Sequence, residues 1–487
     1  MNIADMVSRQ AELRPQAEAI VEGERKLTYR ELDRLVAKAA AAIAGLGFGE
    51  GDRIGLCLKE RAEFLVLFLA VAKAGAVSIP MDWRSGPHAR AQLAAGLGAG
   101  FVVREPDMPD IAGVPCLAID GLLPDAKAAD APQMQSAPGG SRPQAILSSS
   151  GTTGSPKGMV LTHDQWIARL NARTGITLMP PNVRFFSAGA LVFSSNLSSC
   201  LQTLYAGKTL ILYPPLFRPQ ELVAAINRYS PDTTFLVPTL ARRLLELAPA
   251  DGMLLPHLTN LIIGGAALHA AEKREIARRI SLNVYDRFGS AGVGTISCLY
   301  PWETDEHARS VGRVLPGLTV EIVDAEDRPV AVGKIGRLRC RGPSVISSWA
   351  GPVGEDDPEF LRDGWYYTSD LAAFDAEGYL YIEGRASDVI NRGGAIIYAA
   401  EIEGVLLDHP AVREAAALGC PGGDLGEEIA AFVVLQMPID TARLIGHCRD
   451  RLAPHKVPRR IITCDGLPKT ASGKIRKLDL AASLRTN

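Results

Sequence analysis

Residues Ser148 to Met159 read SSSGTTGSPKGM, a run of hydroxyls and glycines that ends in a single lysine, Lys157. Glycines let backbone N–H groups converge on an anion, hydroxyls add donors, and the lysine adds a positive charge, so this composition suits phosphate. The stretch is not a Walker A loop, because that motif needs Ser or Thr after the lysine and Gly158 follows here. It indicates a phosphate-binding loop of another kind, with a Ser/Gly-rich surface turn as the alternative.

The segments on either side of this loop alternate strand and helix. Before the loop, DRIGLCL and AVSIPMD read as strands on either side of the helical run RAEFLVLFLAVAKAG, which is a βαβ pattern. After the loop, THDQWIARLNAR fits a helix with Thr162 as its N-cap and Gln165 at the capping-box position. The pattern predicts an α/β fold.

A second change of pattern lies near Gly384. Before it, KIGRLRCRGPSVISSW and GWYYTSDLAAFDAEGYLYIEG have the short strands, glycine turns and aromatic residues of a small β region. After it, helix, strand and helix alternate to the end of the chain. We therefore predict a large N-terminal domain, residues 1–384, of βαβ-type layered sheets plus a β region, and a small C-terminal α+β domain, residues 385–487.

Composition and charge indicate a cytoplasmic protein with small-molecule partners. Lys and Arg number 52 against 54 Asp and Glu, without a long run of one sign, which argues against nucleic-acid binding. The eight cysteines form no CxxC pair and the eight histidines no ligand-spaced cluster, so we expect a reducing compartment and no structural zinc. The longest apolar run, FLVLFLAVA, is about half the length of a membrane span and reads as a buried helix. Oligomeric state is left open.

Several separated stretches together resemble one family, the adenylate-forming enzymes (AMP-dependent synthetases and ligases), which include acyl-CoA synthetases, peptide-synthetase adenylation domains and luciferases. SSSGTTGSPKG resembles their phosphate loop, IIGGAALH their adenine-side glycine turn and WYYTSDL the motif with the ribose-binding aspartate. GRASDVINRGGAIIYAAEIE resembles the hinge region, and LPKTASGKIRK the C-terminal lysine motif. The matches follow the family's order from about residue 27 to residue 477, so the resemblance covers nearly the whole chain.

This resemblance implies a two-step reaction that uses ATP, Mg²⁺ and coenzyme A. A carboxylate attacks the α-phosphate of MgATP to give acyl-AMP and pyrophosphate, and a thiol then displaces AMP. The acid is predicted to be apolar, an aryl or short-to-medium acyl acid, and the product an acyl-CoA. Two alternatives stay open: acyl loading onto a carrier protein, and a non-catalytic nucleotide- or acyl-binding protein.

The family's nucleotide-binding and catalytic roles can be carried over residue by residue. Phosphate contacts fall on Ser149, Ser150, Gly151, Thr152, Thr153, Gly154 and Lys157. Adenine and ribose contacts fall on Gly264, Gly265, Ala266, Asp286, Arg287, Phe288, Asp370 and Arg385. The two carboxylate oxygens of Asp370 suit the two ribose hydroxyls. The resemblance implies that Lys474 is the catalytic residue, which bridges the substrate carboxylate and the α-phosphate as charge develops.

The resemblance also implies a mobile small domain, because the family's two steps use different domain orientations. The pivot falls on Ser387, two residues beyond the arginine of GRASD. Gly393 and Gly394 match the loop that lines the thiol tunnel, where absent side chains leave room.

The chain departs from the family's aromatic-Gly-x-Thr-Glu motif, which appears here as FGSAGVG. Ala291 replaces the threonine, and Gly292 replaces the glutamate expected to approach Mg²⁺; no acid follows until Glu303. Mg²⁺ often takes only one or two carboxylates, so one expectation is that water fills the position and that Gly292→Glu would lower the Mg²⁺ requirement. The alternative is that the small residues make room for the acyl group. The sequence assigns no metal ligand.

The predicted acid pocket draws on the same segment and on the stretch ALVFSSN. Phe193 aligns with the family's active-site aromatic residue, and Ser194 stands where amino-acid-activating domains carry an aspartate for the α-ammonium group, which argues against an α-amino acid substrate. The predicted pocket residues are Phe193, Ser194, Gly265, Ser290, Ala291 and Gly292.

Overall fold

The computed structural model of the protein describes residues 1–123, 134–148, 157–176, 183–215, 218–351, 359–392, 395–421, 427–469 and 475–485. Up to the quoted loop the order is α1 (Asp5–Leu13), β1 (Glu18–Glu22), β2 (Arg25–Thr28), α2 (Tyr29–Gly45), β3 (Arg53–Cys57), α3 (Ala62–Lys73), β4 (Val77–Pro80), α4 (Pro87–Gly96), β5 (Phe101–Arg104), β6 (Cys116–Ala118), α5 (Ile119–Leu122) and β7 (Pro143–Ser148).

From the loop to the adenine-side turn the order is β8 (Gly158–Thr162), α6 (His163–Thr174), β9 (Arg184–Ser187), α7 (Ser194–Tyr205), β10 (Thr209–Leu212), α8 (Pro219–Tyr229), β11 (Thr233–Leu236), α9 (Pro238–Leu245) and β12 (Asn260–Gly264). Beyond that turn the chain continues with α10 (Ala270–Arg279), β13 (Asn283–Ser290), β14 (Gly294–Leu299), α11 (Thr304–His307), β15 (Arg313–Val314), β16 (Thr319–Val323), β17 (Gly336–Arg341), β18 (Ser348–Ala350), β19 (Leu361–Arg362), β20 (Trp365–Phe374) and β21 (Leu380–Arg385).

The last part of the chain has its own elements and its own core. Its order is β22 (Val389–Arg392), β23 (Ala395–Tyr398), α12 (Ala399–Leu407), β24 (Val412–Pro421), β25 (Glu427–Leu435), α13 (Thr441–Arg449), β26 (Arg460–Thr463) and α14 (Lys477–Arg485). The strands form the β22–β23 hairpin and the sheet β24-β25-β26. A separate apolar cluster joins α12 and α13 to these sheets. The boundary between residues 384 and 385 stays a prediction; it falls at the end of β21.

Two large sheets sandwich a layer of helices. One has nine strands in the order β15-β14-β13-β12-β11-β9-β10-β1-β2, and the other has seven in the order β18-β8-β7-β4-β3-β5-β6. A single apolar cluster contains residues from both sheets and from the helices α2, α3, α6 and α7 between them. The outer face of the nine-stranded sheet packs on α8, α9 and α10, and that of the seven-stranded sheet packs on α4. A smaller sheet, β16-β17-β20-β19 with β21 on β20, contains most of the predicted β region. The end of that region, at Ser348 and Trp349, instead forms β18 and pairs with β8 in the seven-stranded sheet.

Two local predictions are confirmed. Every residue of α3 is buried, and the apolar run between Glu63 and Lys73 faces the protein interior on all sides. Among the helices of the described ranges, none is long and apolar enough to span a membrane.

Helix α6 begins with the predicted capping box. The backbone N–H of Gln165 donates to the Thr162 hydroxyl at 3.2 Å, and the side-chain oxygen of Gln165 accepts from the backbone N–H of Thr162 at 2.9 Å.

Candidate active site

The predicted phosphate loop connects two adjacent strands. Ser148 at the end of β7 pairs directly with Gly158 at the start of β8, in an antiparallel register. A side chain at Gly158 would collide with Ile146, so glycine is required where the loop returns to the sheet. Lys157 is half-buried at this point. The predicted contacts Ser149, Ser150, Gly151, Thr152, Thr153 and Gly154 lie outside the described residues.

The predicted adenine-side residues meet at the carboxyl ends of two parallel strands. Gly264 ends β12 and pairs in register with Arg287 of β13. A side chain at Gly264 would collide with the Arg287 carbonyl oxygen, and Gly265 has a φ of 94°, which favours glycine. The turn at residues 264–266 therefore lies beside residues 286–288, as the prediction requires. Ligands commonly bind at this end of parallel sheets.

Asp370 and Arg385, the predicted ribose residues, are brought together by a strand pair. They are directly opposed partners on the antiparallel strands β20 and β21. Opposed residues of such a pair place their side chains on the same face, within reach of one ligand. Asp370 is half-buried, its backbone N–H donates to the Thr368 hydroxyl at 3.1 Å, and Arg385 is exposed.

Two neighbouring charges of β13 point to opposite faces of the sheet. The Asp286 carboxylate accepts an ion pair from Lys273 of α10, with Nζ 2.6 Å from Oδ2 and both side chains almost fully buried. The same ammonium group donates to the Ser310 carbonyl at 2.7 Å. Arg287 points the other way and donates to the Ser199 hydroxyl of α7 at 3.3 Å. The side chain of Asp286 is thus held by α10, and that of Arg287 contacts the helix that begins at the predicted acid pocket.

Tyr366 explains why residue 292 is glycine. A Cβ atom on Gly292 would lie 2.8 Å from the Tyr366 hydroxyl and nearer still to its ring carbons. Tyr366 is 6% exposed, and its hydroxyl lies 3.5 Å from the Ser290 hydroxyl. Burial raises the pKa of Tyr366, so the phenol stays neutral. The ring of Tyr366 therefore fills the space that a side chain at position 292 would need.

Gly292 offers Mg²⁺ no carboxylate at the sequence position where the family has its glutamate. The next acid in the chain, Glu303, accepts from the Tyr300 N–H at 3.0 Å and from the Tyr379 hydroxyl at 3.0 Å, so its oxygens are engaged elsewhere. Mg²⁺ readily keeps waters and substrate phosphates as ligands. We therefore treat the ion as part of the substrate MgATP and assign it no protein ligand.

Gly292→Glu is expected to destabilise the protein by about 1–3 kcal/mol, because the new side chain overpacks against Tyr366, and it should not lower the Mg²⁺ requirement. Tyr366→Ala removes the clash but also buried packing, so the loss of stability in the double variant should be smaller than the sum of the two single losses. Thermal denaturation and the Mg²⁺ dependence of ATP–pyrophosphate exchange measure both effects. A single variant that melts like the wild type and needs less Mg²⁺ would contradict this account.

The predicted acid pocket is assembled from α7 and the turn between β13 and β14. Phe193 precedes α7 and is 36% exposed, and Ser194 is the first residue of that helix. Ser290 and Ala291 are half-buried in or beside β13. The contact of Arg287 with Ser199 joins the two elements. These assignments remain predictions that the geometry supports.

Two buried arginines on α6 were missed by the sequence analysis. Arg169 and Arg173 are 2% and 4% exposed, on the helix face that also buries Trp166 and Leu170. The sequence pattern that could have identified them is their spacing of four residues, which matches the spacing of Trp166 and Leu170. This spacing places both guanidinium groups on the core side of the helix.

In the C-terminal part of the predicted site, the structure describes Ser387 and the residues on either side of the segment with Lys474. Ser387 lies in the short 3₁₀ turn Ala386–Asp388, and Asp388 pairs with Lys477 at 3.1 Å. The segment with Lys474 is outside the described residues, but its flanks meet in a bridge between Lys469 and Ile475. Gly393 and Gly394 also lie outside the described residues.

Comparisons with known proteins give matches along nearly the whole chain. Residues 7–349 match the family model described as AMP-binding enzyme, and residues 401–474 match the AMP-binding enzyme C-terminal domain. A feruloyl-CoA synthase of Amycolatopsis sp is 31% identical over 96% of both chains. A salicyl-AMP ligase / salicyl-S-ArCP synthetase of Mycobacterium tuberculosis is 31% identical over 94% of this chain and 85% of that protein. The o-succinylbenzoate coenzyme A synthetase of Bacillus subtilis, in complex with ATP and a magnesium ion, superimposes with a TM-score of 0.85 at 26% identity over 99% of both chains. The predicted fold class is confirmed.

Proposed function

Because the chain belongs to the AMP-binding enzyme family, we propose that it activates a carboxylic acid with ATP to an acyl-AMP and then transfers the acyl group to coenzyme A. The observation that supports this most is the contact of Tyr366 with the turn at residues 290–292. This contact holds strand β20, which carries Asp370, against the end of β13, which carries Phe288. The predicted ribose and adenine contacts thereby lie on adjoining elements.

In the first step, a substrate carboxylate oxygen bonds to the α-phosphorus, and the bond to the bridging oxygen breaks as pyrophosphate leaves. The loop at residues 149–157 holds the departing phosphates, Asp370 and Arg385 hold the ribose, and Lys474 neutralises the charge that develops at the α-phosphate. Positioning and charge neutralisation supply most of the catalysis in transfers at phosphorus. In the second step the thiol sulfur bonds to the acyl carbon, and AMP leaves with the electrons of the broken C–O bond.

ATP–pyrophosphate exchange across a panel of carboxylic acids tests the first step. We expect isotope exchange that depends on both an acid and Mg²⁺, followed by thioester formation when coenzyme A is added. Thioester formation only on a phosphopantetheine carrier protein would favour the carrier-loading alternative, an activity that the name of the M. tuberculosis relative suggests. ATP binding without exchange for any acid would favour a non-catalytic binding protein.

The state of the cysteines supports a cytoplasmic location. All eight are free, five of them buried. Burial raises the pKa of Cys57 to about 11 and that of Cys200 to about 12, so these thiols stay protonated and unreactive. Free thiols are typical of a reducing compartment.

Gly394→Trp is expected to block thioester formation while acyl-AMP formation continues, because an indole would fill the predicted thiol tunnel. Gly394→Ala adds only a methyl group and serves as the graded control. Exchange assays measure the first step, and release of AMP in the presence of coenzyme A measures the second. Thioester formation at the wild-type rate in the Trp variant would remove Gly394 from the tunnel.

A further inference from the structure

Three arginines are buried together beside the predicted acid pocket. Arg169 and Arg173 lie on α6, and Arg287 lies on β13; their side chains are 2%, 4% and 6% exposed. We call these three residues the arginine cluster. Arginine is almost never fully buried unless it is paired with an opposite charge, so a buried cluster of this kind indicates a binding site for an anion.

The cluster makes few hydrogen bonds. Arg169 donates through Nε to the Ser344 carbonyl at 2.9 Å, and Arg173 donates through Nε to the Thr295 hydroxyl at 3.1 Å. Nη1 and Nη2 of Arg169 and Nη1 of Arg173 are buried and have no hydrogen-bond partner in the part of the chain that the structure describes. Arg287 donates one bond to Ser199, and its guanidinium carbon lies 4.8 Å from the centre of the Phe235 ring. Several guanidinium N–H groups of the cluster therefore have unused hydrogen-bonding capacity among the described residues.

Among the described residues, no Asp or Glu forms an ion pair with any of the three guanidinium groups. Burial lowers the pKa of Arg173 well below its usual value, and the neighbouring Arg287 and Arg169 lower it further. Burial also lowers the pKa of Arg169 to about 9 and that of Arg287 to about 10. Uncompensated buried charge is costly, and an anionic ligand would remove that cost.

The cluster touches both sides of the predicted acid pocket. Arg287 contacts Ser199, which lies on the helix that starts at Ser194. The side chain of Arg169 passes over Gly294, where a Cβ atom would lie 3.2 Å from its Cγ. The cluster is thus walled by α7 and by the β13–β14 turn, the two elements that carry Phe193 and residues 290–292.

We propose that the arginine cluster binds a second carboxylate, at the end of the acid substrate remote from the carboxylate that is activated. The inference rests on the proposed function and narrows its substrate class to acids with an apolar middle and an anionic end. Guanidinium groups bind carboxylates through paired N–H donors, and the unpartnered Nη atoms supply them. A neutral end would leave these charges uncompensated, so the site rejects it.

Matched pairs of acids test this proposal. ATP–pyrophosphate exchange is measured with α,ω-dicarboxylic acids of three to eight carbons and with benzenedicarboxylic acids, each against its monomethyl ester. We expect kcat/KM for the best diacid to exceed that of its ester by on the order of 10²-fold or more, because sites built to bind a polar group reject analogues that lack it. Equal values for every pair would overturn the proposal.

Substitutions in the cluster separate ligand binding from a structural role. Arg173→Met keeps an unbranched side chain and removes the guanidinium charge. It should raise the KM for the diacid and reduce the preference over the ester, while the KM for ATP stays unchanged. Arg228→Met, which removes an exposed arginine paired with Glu24, is the control and should leave the preference intact. Because the first variant removes an unpaired buried charge, its melting temperature should not fall. Arg169→Met is the second test variant. If both variants preferred the diacid over its ester as strongly as the wild type does, the proposal would be overturned.

Binding of the diacid without ATP distinguishes this inference from the proposed function. Titration calorimetry with the best diacid should show binding that Arg173→Met weakens. Such binding without any pyrophosphate exchange would support the cluster and refute the ligase activity. Pyrophosphate exchange with monocarboxylic acids, together with no measurable binding of any diacid, would support the ligase activity and refute the proposed role of the arginine cluster.

Discussion

Replacing Lys474 with alanine is expected to slow acyl-AMP formation by about 10²- to 10³-fold, the usual cost of removing one group that stabilises transition-state charge. The charge that Lys474 neutralises, at the α-phosphate under attack, exists only in the first step. Transfer of the acyl group from supplied acyl-AMP to coenzyme A should therefore stay near the wild-type rate. The two half-reactions are measured separately, by pyrophosphate exchange and by thioester formation from synthetic acyl-AMP.

Arg476→Ala is the matched control for this variant. Arg476 is a cation close to Lys474 in the chain, and it forms an exposed pair with Asp479 at 3.2 Å. Such surface pairs contribute about 0–1 kcal/mol to stability, so both half-reactions should persist. If Lys474→Ala slowed the two half-reactions equally, the role assigned to this lysine would be wrong.

Lys273→Met is expected to lower the free energy of unfolding by about 3–5 kcal/mol, because it leaves the Asp286 carboxylate charged, buried and unpaired. Lys273 is 2% exposed and Asp286 is 5% exposed, and the pair is 2.6 Å apart. Adding Asp286→Leu removes the remaining charge and should recover most of the loss. Urea denaturation of the two single variants and the double variant gives the coupling energy.

The same experiment tests the predicted contact of Asp286 with adenine. Arg274→Met, on the exposed side of α10, is the control and should change stability by less than about 0.5 kcal/mol. A Lys273→Met protein that is as stable as the wild type, but has a raised KM for ATP, would show that the pair serves the nucleotide and contributes little to the fold.

Much of the fold could be predicted from sequence because it follows from local rules. Helix α6 begins at its capping box, and α3 is buried because the run between Glu63 and Lys73 is apolar on all faces. The ordered motifs identified the family and the positions of the glycines that let strands and loops approach closely. These features depend on residues a few positions apart, whose spacing and chemistry can be read directly from the chain.

Only the tertiary structure decided how the site's side chains meet. Tyr366 reaches the turn that contains Ser290 across 76 positions of the chain, and Arg169 reaches Ser344 across 175. The direction of Arg287, towards α7 and away from Lys273, depends on which face of β13 packs on which helix. Strand alternation predicts that Asp286 and Arg287 point to opposite faces, but it does not say which helix covers each face. The arginine cluster and the ring over Gly292 arise from contacts between distant segments, and no local pattern in the sequence specifies those contacts.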